Sequence, residues 1–126
     1  MKRIISTDDA PAAVGAYSQA TTNGDLVFTA GQIPLTPSGE LLDDEPIAVQ
    51  TDQSLTNVEA VLAEEGLEMS DVLKVTVLLE DIDAFDEMNE AYADFFDDEP
   101  PARSAFEVAN LPKGVGIEIE VIATND

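Results

Sequence analysis

The chain has 126 residues, 27 of them acidic and five basic, with no His, no Cys and a formal net charge of −22. Without Cys there is no disulfide, thiolate metal site or Cys nucleophile, and a cytoplasmic location is favoured. Without His there is no Ser-His-Asp triad and the commonest metal ligand is missing, so catalysis must use carboxylates, Tyr, Lys, Arg or the backbone. The charge argues against nucleic acid and anionic membrane surfaces as partners, because phosphate binding needs a basic stripe. The length predicts one domain spanning residues 1–126, and a hydrophobic content of 44% fits a globular chain. Acidic residues spread along the whole chain, with only three Lys, suit a high-salt cytoplasm. In about 1 M salt the Debye length is roughly 3 Å and self-repulsion is screened. This composition favours a halophilic source over an ordinary acidic protein.

In chain order, Arg3 to Thr7 reads as a short strand, broken by Asp8-Asp9-Ala10-Pro11. The apolar stretch after Met1-Lys2-Arg3 is too short for a signal peptide, and no apolar run approaches membrane-spanning length. A small, turn-rich stretch then delivers Tyr17 into a second predicted strand, where its ring fits either a core or a site position. Asn23-Gly24-Asp25 is a hairpin signal. Leu26 to Ala30 follows as a strand ending at Gly31, where a missing side chain permits a close approach or marks a bulge. Thr36 to Pro46 reads as a loop.

Pro46 to Glu65 is predicted as a helix, with Ala48, Leu55, Val58 and Leu62 on its apolar face, Gln50, Asp52, Gln53 and Glu59 mostly off it, and Gly66 as its stop. Val72 to Leu79 is apolar and β-branched enough for a central strand. A second helix is capped by Asp81 or Asp83, carries a stripe of Phe85, Met88, Tyr92 and Phe95 or Phe96, and is ended by Asp97-Asp98-Glu99 before Pro100-Pro101. Its stripe reads as core. Asn89 is a polar amide on or near the inward face. Two further strands, around Arg103 to Val108 and Gly116 to Ala123, are separated by turn chemistry at Asn110 to Gly114.

The predicted architecture is α+β: about six strands in one mixed or antiparallel sheet, with both helices on one face. The other face must be covered, which suggests self-association. Arg103 is the one basic residue that begins a strand away from the N-terminal end of the chain. A guanidinium there, facing a carboxylate such as Glu118 on a nearby strand, fits a fork for a small anion and fits equally a structural ion pair.

Four segments carry a resemblance. They are Ala10-Pro11…Gly15…Tyr17-Ser18-Gln19-Ala20, Ala30-Gly31-Gln32-Ile33-Pro34, Asn89…Tyr92…Phe95-Phe96, and Pro101-Ala102-Arg103-Ser104…Glu107-Val108…Leu111-Pro112-Lys113…Ile117-Glu118-Ile119-Glu120…Ile122-Ala123. Their order and spacing, running from Ile4 to Thr124, resemble the Rid family (YjgF-type) of reactive-intermediate deaminases, and within it the RidA-like 2-iminobutanoate/2-iminopropanoate deaminases.

The resemblance implies a chorismate-mutase-like fold and a homotrimer with sites between subunits. It also implies hydrolysis of 2-imino (enamine) acids to 2-oxo acids and ammonia, with no cofactor and no metal. By the same resemblance, Arg103 would bind the substrate carboxylate, Glu118 would position the attacking water, and Tyr17 would form an aromatic wall and proton relay. Gly31, Asn89, Ala105 and Ala30 would line the site. Ala16, Ala30 and Ala105 depart from residues common in relatives: Ala30 lacks a hydroxyl found in many of them, and Ala105 leaves room in the pocket. The alternative reading is a non-catalytic binder or sensor of small 2-oxo or amino acids, which needs Arg103 but not Glu118.

Overall fold

A computed structural model describes residues 1–126. Six strands form one sheet: β1 (Arg3–Ile5), β2 (Ala20–Thr22), β3 (Leu26–Thr29), β4 (Val72–Leu79), β5 (Ala102–Glu107) and β6 (Ile117–Thr124). Their spatial order is β1-β2-β3-β6-β4-β5. Only β4 and β5 run parallel, and every other pair is antiparallel. Two helices, α1 (Ile47–Ala63) and α2 (Phe85–Ala93), complete an α+β fold with a mixed sheet.

Side-chain alternation decides where the core sits. Val75, Val77 and Leu79 of β4, and Ile117, Ile119, Val121 and Ala123 of β6, point to the helices and are buried. There they meet Leu55, Val58 and Leu62 of α1 and Met88 and Tyr92 of α2 in one apolar cluster. At about 25 cal/mol per Å² of apolar surface, such layers dominate the favourable side of folding. The residues between them face the other way. Strand register aligns Ile4, Thr21, Phe28, Ile122 and Lys74 in one row across that second face. No element of the chain covers it, and Ile4, Phe28 and Phe106 are exposed there.

Several element ends differ from the sequence expectation, each for a local reason. β1 stops at Ile5 because the Thr7 amide donates to the Gln19 side chain instead of to a strand. β2 begins only at Ala20, so Tyr17 lies in the preceding loop, 54% exposed, and the reading of its ring as core fails. Pro46 is the residue before α1, and its fixed φ of −56° suits that position. Gly66, at φ +74°, ends α1, and the Leu67 amide returns to the Leu62 carbonyl.

Gln50, expected off the apolar face, is buried. Its amide donates to the carbonyls of Asp43 and Glu45 and accepts from the Gly116 amide, tying the loop before α1 to the start of β6. Asp81 caps a 3₁₀ turn (Ile82–Ala84) that leads into α2 and not α2 itself. α2 ends at Ala93, a turn earlier than the acidic run, and Phe95 and Phe96 pack against the core from beyond its end. β5 and β6 do not form a hairpin: β4 lies between them, and α2 is the crossover that makes β4 and β5 parallel.

Candidate functional site

Glu118 is built from the alternation of β6. Its neighbours Ile117 and Ile119 face the core, so its carboxylate emerges on the uncovered face. Gln32 pairs with Ile119 across an isolated bridge, through hydrogen bonds of 2.8 and 3.1 Å in the two directions, and this brings Gly31 beside Glu118. The carboxylate occupies the space that a side chain at position 31 would need. Burial raises the Glu118 pKa, and the neighbouring charge of Glu120 raises it further. No group of the chain donates a hydrogen bond to this carboxylate. It faces a cleft of about 800 Å³ that Tyr17, Ala30, Gly31 and Lys113 also line.

The loop that carries Tyr17 is held by Gln19. This buried amide accepts from the Thr7 amide at 2.7 Å and donates to the carbonyls of Thr7, Ala10 and Pro11. A 12-residue excursion is thereby closed at both ends by one side chain. Lys113 borders the same cleft at φ +58°, the one non-glycine residue in the left-handed region.

Arg103 belongs to a different place. Register puts it opposite Val75, so it points to the helix side of the sheet, while Glu118 points to the other side. Its Nη1 donates to Asn89 Oδ1 at 2.7 Å, and its guanidinium lies 4.6 Å from the Tyr92 ring centroid and 5.3 Å from that of Phe85. Cation–π contacts of this kind hold a guanidinium flat. One of its five N–H donors meets Asn89. The Tyr92 hydroxyl is buried without a hydrogen-bond partner, and burial raises its pKa against the opposing charge of Arg103. Around Arg103 the wall is made by Asn89, Phe96 and Pro101.

Within one chain the expected constellation thus falls into two separate groups. Glu118, Tyr17, Gly31 and Ala30 come together; Arg103 and Asn89 come together elsewhere. Ala105 shares the helix side of β5 with Arg103 and packs against the core, not beside Glu118. The alternative of a structural Arg103–Glu118 ion pair is overturned, because the chain's one salt bridge joins Arg3 to Glu65. The sequence assigned no site role to Gln19 or Lys113, and it read Tyr92 as core, which its burial bears out, without its contact to Arg103. A Gln beside Tyr17 was the available signal for Gln19, and the α2 position one turn beyond Asn89 was the signal for Tyr92.

No helix is long and apolar enough to cross a membrane, and no cluster of three or more acidic side chains is placed to hold a metal ion.

The profile of the family described as Endoribonuclease L-PSP matches residues 7–125. A RutC family protein of Pyrococcus horikoshii is 49% identical over 124 residues, covering 98% of each chain. A 2-iminobutanoate/2-iminopropanoate deaminase of Escherichia coli K12 is 45% identical over 127 residues, again covering 98% of each. Among solved structures, a putative endoribonuclease from Thermotoga maritima superposes with a TM-score of 0.95 at 46% identity, covering 100% of this chain and 99% of that one. The chain belongs to the L-PSP endoribonuclease family, which is the YjgF/Rid family of the sequence resemblance.

Proposed function

We propose that the protein is a hydrolytic deaminase that converts reactive 2-imino and enamine acids to 2-oxo acids and ammonia. The observation that carries this reading is Glu118: a partly buried, unpartnered carboxylate of raised pKa, facing a cleft beside Gly31 and Tyr17. Such a group suits general-base work near neutral pH. In the proposed reaction a water gives a proton to Glu118 as its oxygen bonds to the imine carbon. The C=N electron pair moves to nitrogen, which takes that proton back from Glu118 to give the carbinolamine; its hydroxyl then gives a proton to Glu118, which passes it to nitrogen as the C–N bond breaks, leaving the 2-oxo acid and ammonia. An imine is already electrophilic, so positioning and proton transfer supply the modest acceleration required.

Arg103 is the proposed holder of the substrate carboxylate, since a planar guanidinium binds it through two parallel hydrogen bonds. Its separation from Glu118 within one chain supports a site shared between copies. The uncovered sheet face, with Ile4, Phe28 and Phe106 exposed, supports self-association, and a homotrimer is the assembly proposed. In that assembly Arg103, Asn89 and Ala105 of one copy would complete the half-site of Tyr17, Ala30, Gly31 and Glu118 of another. The family description names an endoribonuclease, but a net charge of −22 with five basic residues opposes binding to RNA.

The test generates imines in situ with an amino-acid oxidase and measures their trapping by semicarbazide. Less trapping in the presence of the protein is expected. Equal trapping with and without it rejects the deaminase, and retained binding of 2-oxo acids in that case supports a sensor instead.

A further inference from the structure

One face of α2 is built around the Arg103 guanidinium. Phe85, Asn89 and Tyr92 lie at positions i, i+4 and i+7, which a helix stacks on one side. All three meet the guanidinium: Asn89 through a hydrogen bond of 2.7 Å, and the two rings with centroids at 5.3 and 4.6 Å. The Tyr92 ring is itself packed by Phe96, 4.8 Å away between centroids. Packing explains the ring, and a Phe would serve there as well as those at 85, 95 and 96 do. It does not explain the hydroxyl. Tyr92 is 5% exposed, and its hydroxyl is enclosed by its own chain with no hydrogen-bond partner. Such a group costs free energy that a Phe would avoid. Because the chain already encloses it, a second copy packed on the sheet does not supply its partner. The one charged group that bears on it is Arg103, which lines the same hollow as Tyr92.

We infer that Tyr92 is a positioning residue for Arg103, its ring setting the plane of the guanidinium and its hydroxyl accepting a guanidinium N–H when a carboxylate is bound. The inference rests on the reading of Arg103 as the carboxylate holder and adds what aims it. A guanidinium has five N–H donors. Asn89 takes one, and a carboxylate held by two parallel bonds takes two. The Tyr92 oxygen is a buried acceptor for one of the two that remain. Stacking on two aromatic faces holds the cation flat but leaves it free to turn in its own plane. A bond to the hydroxyl fixes that rotation. A turned fork loses one of its two parallel bonds, so rotation as well as charge decides affinity.

Tyr92→Phe removes the hydroxyl and keeps the ring. The experiment makes this change in the parent and in an Arg103→Lys background. It measures pyruvate binding by calorimetry, kcat and KM for the alanine-derived imine, and the melting temperature. In the parent background Kd and KM should rise about tenfold, as for one hydrogen bond to a charged group. The kcat should change less than about twofold, and the melting temperature should stay level or rise. An unchanged Kd overturns the inference, and a lower melting temperature beside it would make the hydroxyl structural. In the Arg103→Lys background the same change should alter Kd by less than about twofold, because the hydroxyl acts through the guanidinium. An equal rise in both backgrounds overturns the inference, as does a parent that binds no pyruvate. Weaker binding by Tyr92→Phe, with no imine hydrolysis by the parent, defeats the deaminase reading and leaves the Tyr92 assignment standing.

Discussion

Glu118 fills the space that a side chain at Gly31 would occupy. The neighbour that a Cβ at position 31 would meet is the carboxylate end of Glu118, not backbone. The end of a flexible side chain yields cheaply, so stability and catalysis should respond very differently to a methyl group there. Gly31→Ala is expected to move the melting temperature by only a few degrees, corresponding to about 1 kcal/mol. Displacing a base by an ångström can cost about 100-fold in rate, so imine hydrolysis should fall at least tenfold. An unchanged rate would show that the position of Glu118 does not matter to turnover.

Arg103 is held by a hydrogen bond to Asn89 and by two aromatic faces, and only its planar fork suits both. Arg103→Lys keeps the charge but loses bidentate binding and stacking. Steady-state kinetics should show KM raised about tenfold or more, with the assembly unchanged by light scattering. Wild-type kinetics in this variant would remove the fork from the proposal.

The pH dependence follows from Glu118. Its pKa is raised by burial first and by Glu120 second, and the ionised form is the base. Hydrolysis should therefore fall on the acid side at a pH above the ordinary carboxylate value of about 4.3. Glu120→Gln should move that limb to lower pH. The sign for stability is the reverse of the usual carboxylate case. The folded state holds this proton more tightly than the unfolded one, so the favourable contribution is complete below the unfolded pKa and is lost as pH rises through the folded pKa. Glu118→Gln should melt higher than the parent at pH 7, with the gain shrinking as pH falls toward 4. An equal gain at both pH values would point to packing rather than charge.

Gln19 closes the Tyr17 loop with four hydrogen bonds from one buried side chain. Gln19→Leu leaves several of those backbone groups without partners, each costing about 1–3 kcal/mol when buried. A loss of about 2–4 kcal/mol in denaturant unfolding is expected, together with faster proteolysis between Thr7 and Gln19. Unchanged stability would mean that water replaces the amide without loss.

A charge of −22 on a chain of this length, relieved by a single salt bridge, predicts strong dependence on ionic strength. The melting temperature and kcat/KM for the anionic substrate should both rise between about 0.1 M and molar potassium chloride, as the Debye length shrinks from about 10 Å to about 3 Å. A flat profile in both would make the acidity incidental and count against a halophilic source.

The chain alone determined the two helices, the central strand Val72–Leu79 and the strands beginning near Arg103 and Gly116, because period and punctuation are local properties of sequence. It also carried the family motifs, and with them the residues of the candidate site. Element ends were less legible, since they depend on distant partners: Thr7 leaves the sheet for the amide of Gln19, and Gln50 is buried because Gly116 needs an acceptor. Only the tertiary structure decided that Arg103 and Glu118 face opposite sides of the sheet. A strand's own pattern shows which residues share a face with one another. It does not show which residue of the next strand stands opposite, and here that register, through β4 between them, sends the guanidinium to the helices and the carboxylate to the uncovered face.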